Sequence, residues 1–307
     1  MKKHLRQVIF IISVAVFVIS CAGLILYTVM HQQAKDSYGN AAELSGAAAL
    51  KDITIPVQPK PVEPDTPDEP DVPDTPEDPQ PPEVDLPAER YQGIPKKLYS
   101  DDPYAQVLSE ISLAELKKKN EEVIGWIFMP DSDINYPLVQ TTDNEHYLTY
   151  TWEQLWSLAG AIYLDYRNSA DLNDFHTIIY GHRMSYGTMF SDLNKFTEDP
   201  TFWETHRSVY LALPGGRVYR YDVFAFYEAD VTGHTYRLGL TDTVGKDAYI
   251  AYCQYHSLAD TGIVPRADGH VLTLSTCTGH GHHSRCVVQA VRAVEFVETE
   301  DMLENIE

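Results

Sequence analysis

Positive charge is scarce in this chain. Across 307 residues, 23 Lys and Arg face 45 Asp and Glu, a formal net charge of −22. A chain this acidic repels phosphate backbones, which argues against a nucleic-acid binder. Cysteine is scarcer: there are four, and Cys21 lies in an apolar N-terminal run. The other three are an odd number, so at least one stays unpaired within the chain. Proline is thin over most of the sequence, because twelve of 19 crowd between Pro56 and Pro87. No internal repeat is visible. Apolar residues are plentiful, at 44% with 11% aromatic, which excludes a wholly disordered chain. The length allows one or two domains of about 150 residues.

The first 30 residues read as a cytoplasmic tip and membrane anchor. Lys2, Lys3 and Arg6 precede an uncharged run of 23 residues from Val8 to Met30. Such a run spans a hydrocarbon core of ~30 Å at ~1.5 Å per residue. Basic residues on its N-terminal side place that end in the cytoplasm and the rest outside, a single-pass topology in the cell membrane. A cleaved signal peptide has a shorter apolar core, of about 7–15 residues. Val18-Ile19-Ser20-Cys21 loosely fits a lipidation box, but the apolar run continues nine residues beyond Cys21.

Residues 31–98 read as an extracytoplasmic linker. Residues 31–55 are polar and Ala-rich, with some helix expected near the membrane. Between Pro56 and Ala88 stand ten acids and one base, Lys60. Frequent proline blocks helix and sheet, and like charges favour extension, so this stretch is expected to be a disordered, acidic, Pro-rich spacer. The other reading, a ligand for a proline-binding module, lacks a basic anchor residue.

Residues 99–307 read as a folded domain. Ser112-Leu113-Ala114-Glu115 resembles a capping box opening a short helix through Asn120. Strand-like runs follow at Ile124–Phe128, Ile134–Val139, Gly160–Leu164, Thr177–Tyr180, Val209–Leu213, Val218–Tyr227, His270–Thr276 and Arg285–Val294. Pro214-Gly215-Gly216 marks a hairpin turn. Tyr249, Tyr252, Cys253 and His256 recur at helical spacing between Asp247 and Leu258. About eight strands with few helices predict a mainly β fold, a closed or nearly closed barrel.

Cys277 ends a strand, and Arg285 opens the next after a short loop. A thiolate is the reactive form of cysteine and nearby positive charge favours it, so Cys277 is a candidate nucleophile. Cys253 reads as a small core residue. Strand parity puts Arg285, Val287 and Gln289 on one face and Cys286, Val288 and Ala290 on the other, which disfavours a Cys277–Cys286 disulfide. Cys277, His280, His282, His283 and Cys286 also spell a cluster of zinc-ligand types. Structural sites usually draw on two separated knuckles, and metal would quench the nucleophile. The histidines are therefore read as decorating the loop beside a substrate groove, with no metal or cofactor required.

Thr273-Leu274-Ser275-Thr276-Cys277, with Arg285 and Val287-Val288 after it, resembles the active-site signature of sortases, the cysteine transpeptidases of Gram-positive cell envelopes. Thr177-Ile178-Ile179-Tyr180-Gly181-His182-Arg183-Met184, leading into Met189-Phe190-Ser191-Asp192-Leu193, is similar to the catalytic histidine segment of class B. Val123 to Ile127, Tyr136 to Gln140, Asp143-Asn144 and Tyr147-Leu148 match the same class. The resemblance covers about residues 104–294 and implies an eight-stranded sortase-type barrel. It further implies that Cys277 attacks the Thr carbonyl of a sorting signal to form a thioacyl-enzyme. His182 would protonate the leaving amine and later deprotonate the incoming one. Arg285 would stabilise the oxyanion. Asn144, Leu148, Tyr180 and Ser275 match positions that contact the sorting peptide. The implied partners are secreted proteins with a C-terminal sorting signal and an amine acceptor, in peptidoglycan precursor or another surface protein. The family's usual pattern has a larger apolar residue where Cys286 stands. The competing class is a non-catalytic zinc-loop or adhesion module on the same membrane-anchored stalk.

The anchor reading has a direct check. The full chain is expected to stay in the membrane fraction through a high-salt wash. Mature protein beginning at a lipidated Cys21 would overturn it.

Overall fold

The structure is a computed structural model that describes residues 2–53, 94–199, 201–279, 283–299 and 302. The apolar N-terminal run lies in α1 (Lys2–Ser45), followed by a 3-10 helix, Ala47–Asp52. From Phe10 onward α1 is long and apolar enough to cross a membrane. The Pro-rich stretch lies outside the described residues. The chain resumes before β1 (Lys96–Leu98), α2 (Pro103–Glu110) and α3 (Leu113–Lys117). There follow β2 (Val123–Phe128), β3 (Asn135–Val139), β4 (Ile162–Leu164), β5 (His176–Tyr180) and α4 (Lys195–Glu198). The last elements are β6 (Ser208–Leu213), β7 (Arg217–Asp230), α5 (Thr243–His256), β8 (Val271–Cys277) and β9 (Ser284–Val297).

The sheet runs β1-β9-β7-β6-β2-β3-β4-β5-β8, and β8 also pairs with β9. That second pairing closes eight strands into the barrel that the alternating runs predict. β1 is an addition, parallel to the far end of β9.

Alternation along β8 and β9 sorts side chains between two apolar clusters. Leu272, Leu274, Cys286, Val288 and Ala290 join the main core with Ile127, Leu138 and Ile179. Val271 and Val287 face outward and pack with Ile250 and Cys253 of α5. Thr273, Ser275 and Cys277 share the outward parity of Val271.

Helix ends differ from the sequence reading for identifiable reasons. α3 stops at Lys117 rather than Asn120. The Asn120 amide instead donates to the Tyr147 hydroxyl at 2.8 Å and the Trp152 carbonyl at 2.6 Å. Ser112 precedes α3 without a side-chain cap. α5 starts earlier than the spacing suggests, because Asp242 accepts from Gly245 N at 2.8 Å. α2 was not read from sequence, although Asp102 caps it and Pro103 occupies its first turn.

Residues 31–53 are packed rather than free. Ala34, Tyr38, Ala41, Ala47 and Leu50 are buried in the main core. Their spacing puts the α1 residues on one helical face, and the small alanines permit close approach. Trp152 Nε1 donates to Ser37 O at 3.2 Å, and Asn135 Nδ2 to Ala47 O at 3.3 Å.

A polar network joins the barrel wall to α5. His176 is buried, with Nδ1 2.8 Å from Arg237 O and Nε2 2.6 Å from Thr273 Oγ1 and 2.9 Å from the Tyr249 hydroxyl. Burial lowers its pKa to about 4, outweighing the backbone hydrogen bond that favours the charged form. The unfolded histidine protonates near ~6.5. The folded state is therefore fully favoured above about pH 6.5 and loses stability as pH falls toward 4. The loss from this group is expected to be on the order of 3 kcal/mol. Thermal melts at stepped pH check it, and His176→Gln should flatten the curve across that window.

Candidate active site

The closing hairpin of the barrel places two of the candidate residues. β8 and β9 are antiparallel, with Thr276 opposite Cys286 and Cys277 opposite Arg285. Directly opposed Cα atoms in such a pair lie about 4.5–5.5 Å apart, so thiol and guanidinium share one face at one level. Both residues are half-buried. Arg285 Nη1 donates to Ser284 O at 3.0 Å.

Cys286 points the other way. Its thiol donates to Leu193 O at 3.1 Å inside the core, and burial raises its pKa to about 12. It is therefore an inert packing residue and cannot share a metal or a disulfide with Cys277. All four cysteines are free. Cys253 is likewise buried, with its pKa raised to about 12 by desolvation. His280 and His282 of the zinc-type cluster lie outside the described residues.

The third candidate comes from the loop after β5. Gly181 N donates to Ser275 O at 3.2 Å, which stitches the loop to the cysteine strand one residue before His182. A Cβ at Gly181 would come within 2.4 Å of Ile162 and 2.8 Å of Phe190, so a larger residue would force those buried side chains to shift. On the other side, Arg183 Nη1 donates to Thr278 O, just past Cys277. The loops bearing thiol and imidazole are thus joined on both sides of His182. The imidazole itself is steered by Leu148: His182 Nε2 donates to its carbonyl at 2.7 Å. Gly160 lies beneath the ring with φ +58, and a Cβ there would meet the Tyr147 and Leu148 carbonyls and His182. Among the described residues no hydrogen bond links Cys277 to His182.

Tyrosines wall the site. Tyr180 packs 5.3 Å from Tyr163 and stacks 6.4 Å from Tyr236. The Tyr236 hydroxyl lies 2.8 Å from Ser275 Oγ. Burial raises the Tyr236 phenol to about 12, against the pull of Ser275 and Arg285. Burial also raises Tyr163 and Tyr180, the first despite the Arg285 charge. The wall therefore offers neutral hydroxyls at ordinary pH.

Two of the substrate-contact candidates are joined by a residue that sequence reasoning missed. Asp165 Oδ2 accepts from Asn144 Nδ2 and the Tyr180 hydroxyl, each at 3.0 Å, and from Arg167 at 2.7 Å. Burial alone would raise this carboxyl, but hydrogen bonds and charge from Arg167 outweigh it and hold it below the ordinary range. Asn144 Oδ1 accepts from Tyr166 N at 3.1 Å. Its amide therefore braces one loop against another, while the exposed Leu148 contributes its carbonyl. Tyr236 and Asp165 carried no local sequence signal. Arg183 did, as the neighbour of His182.

The Sortase domain family matches residues 127–293. Sortase B of Listeria monocytogenes is 32% identical over 165 residues, 54% of this chain and 66% of that protein. The chain thus spans slightly under two thirds of that curated relative. A solved Bacillus anthracis protein described as similar to sortase B is 34% identical, with a TM-score of 0.52 over 58% of this chain and 80% of that one. The solved Listeria sortase B gives 30% identity and 0.53, over 59% and 99%.

Arg183→Gln removes one of the two links beside His182. Misplacement of a catalytic group by about 1 Å can cost on the order of 100-fold. A fall in kcat/KM of about tenfold or more is expected, with an unchanged melting temperature. Steady-state kinetics on the site's substrate test this, and wild-type rates would show the link to be dispensable.

Proposed function

The chain belongs to the sortase family, in class B, and from that premise we propose that it is an extracytoplasmic cysteine transpeptidase. The observation that carries this reading is the opposition of Cys277 and Arg285 across the closing strand pair, with the His182 loop stitched to the same strand. The Cys277 thiolate attacks the carbonyl carbon of the Thr in a C-terminal sorting signal. Arg285 stabilises the oxyanion that forms, and its planar fork can hold a substrate carbonyl as well. The C–N bond breaks as His182 gives a proton to the leaving nitrogen, leaving a thioester on Cys277. An acceptor amine then attacks that thioester. His182 takes the amine's proton, the new amide leaves, and the thiolate is restored. The acceptor belongs to peptidoglycan precursor or to another surface protein.

Asn144, Leu148, Tyr180 and Ser275 are proposed to line the peptide groove. Tyr163 and Tyr236 extend the wall that Tyr180 begins, and Asp165 holds Asn144 and Tyr180 in register. Residues 1–30 serve as cytoplasmic tip and single membrane span, with residues 31–98 outside it and 99–307 as the catalytic domain.

Cys277→Ala is expected to abolish both cleavage of sorting peptides and transfer to an amine while the fold survives. Turnover above a few per cent of wild type would sink the assignment. The competent state needs the cysteine without its proton and the histidine with one, so kcat/KM should follow a bell-shaped pH profile. Arg285→Lys should lose most activity, because an ammonium keeps the charge but not the fork. A pH-independent rate, or near-normal turnover by the lysine variant, would contradict these roles.

A further inference from the structure

The loop between Tyr150 and Gly160 presents apolar side chains to the outside. Leu155, Trp156 and Leu158 are 38%, 50% and 53% exposed. They are held there by an ordered backbone. Thr151 N donates to Leu155 O at 2.8 Å, Ser157 N donates to Thr149 O at 2.8 Å, and Tyr150 bridges Trp156. The loop's single charged residue, Glu153, is engaged elsewhere, 2.6 Å from both Lys119 and Ser37. An ordered, uncharged, outward-facing Trp and two Leu call for a partner.

The neighbouring element identifies that partner. Trp156, Leu158, Ala159 and Tyr186 line one side of a cleft of about 210 Å³ whose other wall is α1, from Gly23 to His31. The His31 and Tyr186 rings are 3.8 Å apart. The loop therefore lies beside the last two turns of the apolar run, where uncharged residues give way to Gln32, Gln33, Lys35 and Asp36. The run is ~35 Å long, against a hydrocarbon core of ~30 Å. Its last turns thus sit in the headgroup–acyl boundary, the depth that Trp and Tyr prefer. Interfacial elements bury about 5–10 Å there, which matches the ~10 Å of helix flanked by the loop.

We propose that the Leu155–Ala159 loop is a second membrane contact, with Trp156 and Leu158 seated in the outer-leaflet boundary beside α1. The proposal rests on the reading of α1 as a membrane span. The contact lays the barrel against the lipid surface. It also brings the bilayer close to Gly160 and Leu148, the two residues that seat His182.

The full chain in phosphatidylcholine–phosphatidylglycerol vesicles, with nitroxide lipids labelled near the headgroup or at the bilayer centre, tests the proposal. α1 contains no Trp, Trp126 and Trp152 are fully buried, and the half-buried Trp203 packs against the main core, so Trp156 is the tryptophan on the face beside α1. Tryptophan emission should be quenched by the shallow label more than the deep one, and Trp156→Phe should lose most of that quenching. Equal quenching of both proteins, while both stay with the vesicles through a high-salt wash, would overturn the contact and leave the anchor standing. Protein that washes off the vesicles would overturn the anchor and the contact together. Unquenched emission with Trp156→Cys forming disulfide-linked dimers would assign the patch to a second copy instead.

Discussion

The pairing of β8 with β9 is the constraint on which the rest depends. It closes the barrel, and the same register puts Cys277 across from Arg285. A slip of one residue would reverse every side chain on the strand that moved. If β9 moved, Cys286, Val288 and Ala290 would face the groove, and Arg285 would be turned into the core on the side of Leu272 and Leu274 of β8. Burying an unpaired guanidinium there costs far more than any local gain could offset. The core thus enforces the register, and the register assembles the thiol–guanidinium pair.

His182 is held by different means. It lies on a loop, so no strand register sets its position. Its place results from several separate ties: Gly181 to the cysteine strand, Arg183 to the backbone beyond Cys277, and its own ring to Leu148. Leu148 is in turn steadied by a loop that Asn120, just beyond α3, and Ser37 of α1 hold at Trp152. The imidazole therefore depends on parts of the chain more than 100 residues upstream. The β8–β9 pair and the His182 loop have distinct structural sources, and the candidate site lies where they meet.

What the sequence made legible follows this division. The eight strands and the opposite faces of Cys277 and Cys286 could be read because alternation is a local property. Cys277 and Arg285 lie on one hairpin, so their spacing already implied proximity. His182 was readable through its context after a strand and a glycine. Asp165 and Tyr236 were not, because each meets its partner only after barrel closure: Tyr180 in one case, Ser275 in the other. Asn120 was read as helical because its side-chain partners, Tyr147 and Trp152, are remote in sequence. The docking of α1 was hidden because alanine suits a solvated helix face and a packed one equally. Asn144 and Leu148 were named as positions that contact the sorting peptide; in this structure the Asn144 side-chain amide also braces Asp165 and Tyr166, and the Leu148 carbonyl accepts from His182.

The docked helix also changes what the acidic stretch can do. Leu50 is buried against the barrel, and Lys96 to Leu98 pair with β9. The chain is thus fastened to the same body both before and after residues 54–93. Residues 31–53 lead from the apolar part of α1 directly onto the barrel core. Doubling the length of such a pinned loop costs only about 0.6 kcal/mol. Insertions and deletions there would leave the docking of residues 31–53 on the barrel unchanged. That segment is therefore open to changes in length and charge, while the buried residues of 31–53 are not.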